Sequence, residues 1–397
     1  MTVKHLFPAV EPSLNLDFAN SKKLDPRITF TRSSTGTYVD SNGLIKTAAA
    51  NEARFDHDLV SGSSLGLLME PTRTNYAKSS ENISLVSNWS GWAGGEFVVT
   101  PNATTAPDGT STATLIKDVA TSGNRSIKNT SMSSLPSSVY TVSCFFKKAG
   151  NGNTVSIFYN NSPYDGIYDF NLDSPSSLHQ NYSIAYPNGW YRVFFTTISA
   201  RTNMSSVSIN AGSSNGTTNA EVYMWGFQVE QNILCTSYIP TSATTVTRTT
   251  DLADMTGTNF SSWYNQSEGS FHINAKPLYP FQQYIFRTRL TNTIGIGAYF
   301  GGNDARSSLY VTGGSGIVNL NLASNIQNFA AAYKDYDFAV AGPNQILTNT
   351  TQTLPPYSMT SAEIGRSGLS QNLYGHIARI AYYPTRLTNA QLQALTL

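Results

Sequence analysis

Apolar and polar positions alternate with a period of two through most of this chain, and almost nowhere with the period of a helix. Ile28, Phe30 and Arg32 alternate with Thr29 and Thr31, which predicts a short strand with one buried and one exposed face. Tyr38 and Val39 precede Asp40-Ser41-Asn42-Gly43, and Leu44 and Ile45 follow. Asn-Gly accepts the positive φ of a tight turn, so TGTYVDSNGLIKT predicts a β-hairpin. LGLLMEP predicts a third short strand, stopped by Pro71. Ahead of these lies one apolar segment, LNLDF, followed by Lys22, Lys23 and an Asp25-Pro26 turn. This terminus reads either as a loose lead or as an arm that pairs with another subunit.

The alternation continues in FVVT, STATLIKDV, YTVSCFFKK, TVSIFYN, GWYRVFFTTIS, SSVSINAG and EVYMWGFQVE, each rich in β-branched or aromatic residues. Strands of this kind, bounded by Gly, Asn, Ser or Pro, predict a β-sandwich of two packed sheets over residues 76–252. Residues 253–397 predict a second sandwich, from GSFHINAKPL through NFAAAYKDYDFAVAG, taken as one strand-like run, to GHIARIAYYP. LTNAQLQALTL predicts a short helix with Thr388 as N-cap and Gln391 completing a capping box. The expected fold is all-β: tandem β-sandwich (jelly-roll) domains at 76–252 and 253–397, preceded by a small hairpin module at 1–75. No repeat near 20 residues appears, so a parallel β-helix is not predicted.

Composition sharpens this picture. Charged residues make up 12% of the 397 residues, far below the ~25% of ordinary soluble domains. Ser, Thr, Asn and Gly fill the difference, as suits short strands joined by polar turns. The formal net charge is +1 and no basic stripe is visible, which argues against nucleic acid as a partner. No stretch approaches the ~20 apolar residues of a membrane-spanning helix, and MTVKHLFPAVEP lacks the apolar core of a signal peptide. The two cysteines, Cys144 and Cys235, do not make a disulfide scaffold. Cys144 shares a strand face with Tyr140, Val142 and Phe146, which predicts a buried thiol.

The run ITFTRSSTGTYVDSNGLIKTAAANEARFDHD, with GLLMEPTRTN closing it, resembles a module of tailed-bacteriophage structural proteins, found in head fibres and tail fibres. Along the chain, NWSGW, PDGTSTATLI, NGWYRVFF and WGFQVE followed by TSYIPTSATTVTR resemble landmarks of carbohydrate-binding-module-like sandwiches. GHIARIAYYPTRLTNAQLQAL is similar to the closing segment of concanavalin-like (laminin-G-like) jelly rolls. The resemblance implies a structural protein of the virion surface, a fibre or spike that adheres to host glycans without being an enzyme. It also implies a homotrimer in contact with capsid, portal or tail components. Such a protein would be assembled in the host cytoplasm, where its cysteines stay reduced, and exposed on the particle. A polysaccharide depolymerase with a jelly-roll active site, and a purely structural head or tail protein, are the competing readings.

The candidate chemistry is sparse. Hydrolytic jelly rolls carry Glu-x-Asp-x-Glu on one strand, and that pattern is absent. Asp335 and Asp337 would share a strand face and read as surface or calcium-adjacent carboxylates. Asp165, Asp169 and Asp173, spaced by four, would sit about 13 Å apart from one to the next on a strand, too far to share a metal. His5, His57, His179, His272 and His376 lack ligand spacing, so no metal and no cofactor is expected. Sugar binding is the better candidate, because aromatic rings stack on pyranose faces. Trp89, Trp92, Tyr159, Tyr164 and Tyr168 are the expected carbohydrate-binding residues, while Trp190 and Trp225, inside strands, are expected in the core.

Overall fold

The computed structural model describes residues 10–84, 88–91, 97–119, 126–132, 135–159, 167–173, 181–197, 206–212, 219–278, 282–301, 306–322, 327–368 and 371–397. Four antiparallel sheets make up two β-sandwiches, as the alternation predicts. One sandwich is built from a single run of chain. Its six-stranded sheet orders Asn181–Tyr186, Trp190–Thr196, Thr141–Ala149, Glu221–Glu230, Ala113–Asp118 and Phe97–Thr104. Its five-stranded sheet orders Ile167–Asn171, Thr154–Tyr159, Val207–Ala211, Ile127–Asn129 and Trp89–Gly91. Between them lie Ile116, Val142, Cys144, Ile157, Phe195, Ile209 and Phe227, all buried. Cys144 is thus the core thiol expected of it, and both cysteines are free.

The second sandwich is assembled from both ends of the chain. Its seven-stranded sheet begins with Thr29–Thr31, beside Leu252–Thr256, and ends at Val318–Asn321. Its eight-stranded sheet includes Phe55–His57 and Ser64–Met69, the latter paired with Gly375–Tyr383. Leu14–Asp17 also pairs with Gly375–Tyr383, opposite Arg379 to Tyr382. Residues 1–75 therefore do not stand apart as a hairpin module. Four of their described strands, Leu14–Asp17, Thr29–Thr31, Phe55–His57 and Ser64–Met69, complete the jelly roll of the C-terminal run, and the other sandwich is inserted between the two runs. The reason lies in the alternation itself: Leu14, Leu16, Phe30, Leu67 and Met69 point into the same core as Phe271, Ile285 and Ile380. Each leucine so buried contributes about 1.5–3 kcal/mol, which a loose lead would forfeit. LNLDF is neither a loose lead nor an arm to another subunit.

The Ser64–Met69 strand crosses Gly375–Tyr383 closely. A Cβ on Gly66 (φ +90°) would fall 2.2 Å from the carbonyl oxygen of Ile377, so only glycine fits. NFAAAYKDYDFAVAG is not one strand: Asn328–Lys334 and Phe338–Gly342 are antiparallel neighbours, and Asp335 and Asp337 stand in the turn between them. The expected helix is Asn389–Ala394, with the Thr388–Gln391 capping box in place.

The expected hairpin, Gly36–Val39 with Ile45–Ala48, is present as a two-stranded sheet. Only Gly43 (φ +75°) of its Asn-Gly pair takes the left-handed conformation, while the Asp40 carboxylate accepts the Asn42 and Leu44 amides and closes the turn. An isolated hairpin is marginal in water, so this one must dock. It docks within the chain: Ile45 packs with Ala106, Phe145, Trp190 and Trp225 of the inserted sandwich, and its amide donates to the Pro107 carbonyl at 3.0 Å. A two-stranded neck, Arg73–Asn75 against Val246–Arg248, carries the chain in and out of the insertion.

Candidate functional site

Beside the neck lies a fully buried ionic network. Arg54 Nη1 donates to Glu70 at 2.6 Å and Arg54 Nη2 to Asp251 at 2.5 Å, while Arg32 donates to the other Asp251 oxygen at 2.9 Å. Arg248 also donates to Glu70. The spare guanidinium hydrogens go to carbonyls: Arg32 to Ala49, Arg54 to Thr37, Arg248 to Pro71. Ser237, of the inserted sandwich, donates its amide and hydroxyl to Glu70 at 2.8 and 2.6 Å. Burial would raise the pKa of Glu70, but the Arg248 and Arg54 guanidiniums outweigh it and hold the carboxyl well below its usual range. The network therefore stays charged, with most of its bonding capacity filled, and ties three sequence-distant segments together.

Three of its members, Arg32, Arg54 and Glu70, belong to the stretch on which the phage-fibre resemblance rests. Their signal was legible but unread. Arg32 sits on the apolar face of its strand with Ile28 and Phe30, and Glu70 follows LGLLM, in a chain with few charges. A charge at an inward position of such a chain marks a buried partner.

Glu70 of the network also lines a cleft of about 380 Å³ between the two sandwiches, within the range of small-ligand sites. The cleft is lined by Tyr38, Val39, Asp56, His57 and His376, together with Ile184, Tyr186 and Cys235 of the inserted run. Leu59, Val60 and Leu278 supply apolar surface, and Val60 is 95% exposed. The polar groups are held in place. Asp56 accepts from the Val39 amide at 2.6 Å and from His376 Nε2 at 2.9 Å. His57 Nδ1 lies 3.0 Å from the Val39 carbonyl, which only accepts, so that nitrogen carries the proton. The Tyr186 ring packs edge-on against Phe145 at 5.1 Å.

Burial pushes the Tyr186 phenol up to about 12 and the Cys235 thiol up to about 11, the nearby Arg192 cation only partly offsetting it. At neutral pH the cleft therefore offers a hydroxyl donor and an unreactive thiol rather than a thiolate nucleophile. Rings, a carboxylate and oriented donors in an apolar recess suit a ligand that carries both hydroxyls and an apolar face.

Of the expected sugar-binding residues, only Trp89 and Tyr168 have described side chains. Trp89 is a correction: it is 1% exposed, its indole N–H donates to the Ser79 carbonyl at 3.0 Å, and its ring meets Phe227 edge-on. Its alternation with polar neighbours in NWSGW marks a core strand, not a platform. Trp92 and Tyr164 lie outside the described residues, and of Tyr159 the structure describes only its place in the strand Thr154–Tyr159. Tyr168 is half-buried and stacks on Phe195 with ring centroids 4.0 Å apart, so its inner face is occupied by the core. Trp190 and Trp225 are core residues. Asp335 Oδ1 accepts the Leu354 amide and Asp337 pairs with Arg386 at 2.8 Å, so both serve the turn that holds them. Asp165 lies outside the described residues; Asp169 accepts from Ser156 and Asp173 from Lys148. Sequence reasoning assigned none of the lining residues to a cleft, because they come from six separate segments.

No protein-family model and no curated protein sequence matches this chain. Among solved structures it is similar to the CBM40 of the Ruminococcus gnavus IT-sialidase bound to α2,3-sialyllactose, at 14% identity over 35% of this chain and 86% of that one, with a TM-score of 0.28. It is similar to domains LG4-5 of the mouse laminin α1 chain at 8% identity, over 65% of this chain and 87% of that one (TM-score 0.24). It is also similar to the Trypanosoma rangeli sialidase in complex with the inhibitor DANA at 12% identity, over 76% of this chain and 52% of that one (TM-score 0.28). At these scores the likenesses carry no argument about activity or ligand.

Proposed function

We propose that this chain is a non-enzymatic adhesion protein of a tailed-phage virion surface, a fibre or spike, and that its neck cleft holds a host surface glycan. The observation that carries the binding role is the cleft: about 380 Å³ in volume, lined by Tyr38 and Tyr186 and by a carboxylate and two histidines fixed by hydrogen bonds. The virion role rests on the resemblance over residues 26–75. As a fibre or spike the chain assembles as a homotrimer on other virion proteins. The hairpin gives that assembly no support, since Ile45 packs within the chain.

Calorimetric titration of the purified protein with polysaccharide extracted from host cell surfaces tests the binding. Saturable binding is expected, and Ile184→Asp, at the exposed rim, should weaken it at least tenfold without changing the circular dichroism. Titration unaffected by Ile184→Asp and Tyr186→Phe together would remove the cleft from the reading. Release of new reducing ends during the incubation would replace adhesion with a depolymerase. Light scattering should give a trimer mass; a monomer at micromolar concentration would end the trimer.

A further inference from the structure

We propose a second carbohydrate site, at the hairpin end of the jelly roll, where Tyr357 in a recess, flanked by Tyr336 exposed on the adjoining turn, presents its ring to a neutral pyranose. It does not rest on the neck cleft and shares no residue with it. The first observation is backbone strain. Tyr336, in the turn between Asn328–Lys334 and Phe338–Gly342, has φ +59°. Left-handed backbone suits Gly or Asn and disfavours a bulky side chain. Such residues cost about 1–3 kcal/mol and cluster where function retains them. Packing of the side chain repays little of the cost, since the Tyr336 residue is 59% exposed.

The second observation is a polar recess of about 390 Å³ beside the turn, lined by Asp335, Gln266, Ser267, Thr353, Pro356 and Tyr357 among others. Tyr357 is 52% exposed and follows two prolines, which fix the backbone that presents it. The recess is braced. Asp335 Oδ1 accepts the Leu354 amide, the Tyr336 amide donates to the Gln352 carbonyl at 2.9 Å, and Gln266 accepts from the Met359 amide at 3.0 Å. Asp335 keeps its second carboxylate oxygen free of partners among the described residues, and the Ser267 hydroxyl likewise.

Exposed rings beside a carboxylate and hydroxyl groups are the recognition set of a sugar: ring faces for its C–H surface, acceptors for its hydroxyls. The Asp335 carboxylate in the lining disfavours an acidic sugar and favours a neutral one. A shallow, open recess fits the terminal residue of a chain rather than a free sugar engulfed on all sides.

Saturation-transfer NMR on the full chain with cellotriose, mannotriose and galactotriose tests this. Transfer to one or more of these trisaccharides is expected. Tyr357→Ala should reduce it at least tenfold. Tyr336→Gly should also reduce it while leaving the melting temperature equal or higher, because glycine relieves the strained φ. That pairing separates a binding role from a structural one. Ile184→Asp in the neck cleft should leave the transfer intact. Three results would each overturn the proposal: no transfer from any of the trisaccharides, transfer undiminished in both tyrosine variants, or a lowered melting temperature in Tyr336→Gly. Transfer abolished by Ile184→Asp would assign the sugar to the neck cleft and overturn it equally.

Discussion

The two sandwiches share an architecture but not a way of being encoded. The inserted one is a single run of chain, and its ion pairs, such as Lys117–Glu221 and Lys148–Asp173, lie at the surface. The outer one is closed by two runs that meet where the Glu70 amide donates to Asp251, 181 residues further on. Closing so long a loop costs conformational entropy that grows with the logarithm of its length. At the junction stand the five buried charges. The comparison teaches that a core forms without a buried ion pair among its described residues when its strands are contiguous. Where they come from distant runs, polar groups with fixed geometry set the register. Hydrophobic burial is indifferent to which strand supplies a leucine, whereas an Arg–carboxylate fork accepts one partner in one place.

The largest expected effect comes from breaking that junction. Glu70→Ala strands the buried guanidiniums of Arg54 and Arg248 and leaves Ser237 without its acceptor. Loss of one partner of a buried pair costs about 3–5 kcal/mol. Urea unfolding followed by tryptophan fluorescence should show that loss. The signals of Trp190 in the insert and Trp263 in the outer core should both shift, because Glu70 touches both bodies. A loss under about 1 kcal/mol would mean that the network does not hold the junction. Acid probes the same carboxyl. Its folded pKa lies below its unfolded value of about 4.3, so its contribution is complete above that pH and declines as pH falls toward the folded value. Glu70→Gln should flatten that acid limb.

A smaller effect, confined to the outer body, is expected of Leu16→Ala. Leu16 is buried in the outer core on a strand paired with Gly375–Tyr383. Truncating it should cost about 2–5 kcal/mol, read at Trp263 with the insert's transition in place. Stability equal to that of the parent chain would show that the first strand adds nothing to the jelly roll.

Much of this was legible in the sequence, and the limit is physical. Strand alternation gave both sandwiches, and the Thr388 capping box gave the closing helix, because these are local signals. Pairing across an insertion is not local. LNLDF alternates identically whether it pairs with a neighbour or with a strand more than three hundred residues away, as Asn15 does opposite Ala381. The same limit explains Trp89: an aromatic in a short polar stretch reads as exposed until its indole N–H is seen to reach Ser79. The neck cleft was illegible for the same reason, since Asp56 and His376 become neighbours only when the outer sandwich closes. Arg32, by contrast, was on the page as a charge on an apolar strand face.

The smallest expected effect sits far from the junction. The helix Asn389–Ala394 covers the outer surface of the eight-stranded sheet, where Ala330, Ala332, Ala339, Ala341 and Ala381 form a floor of small side chains against Leu387 and Leu392. A helix this short is not stable alone. It depends on that packing and on its cap, in which the Thr388 hydroxyl accepts the Gln391 amide and the Gln391 side chain accepts the Thr388 amide. Thr388→Ala removes half of the reciprocal pair and leaves an orphan helix amide, at a cost of about 1 kcal/mol. Serine caps as well as threonine, so Thr388→Ser should stay within a few tenths of a kcal/mol of the parent. Because the helix touches the outer sandwich and no part of the neck, the loss should appear at Trp263 and leave the insert's transition unmoved. Equal shifts in both transitions would mean that the two bodies unfold as one unit, and that the contrast between a contiguous and a split sandwich has no energetic counterpart.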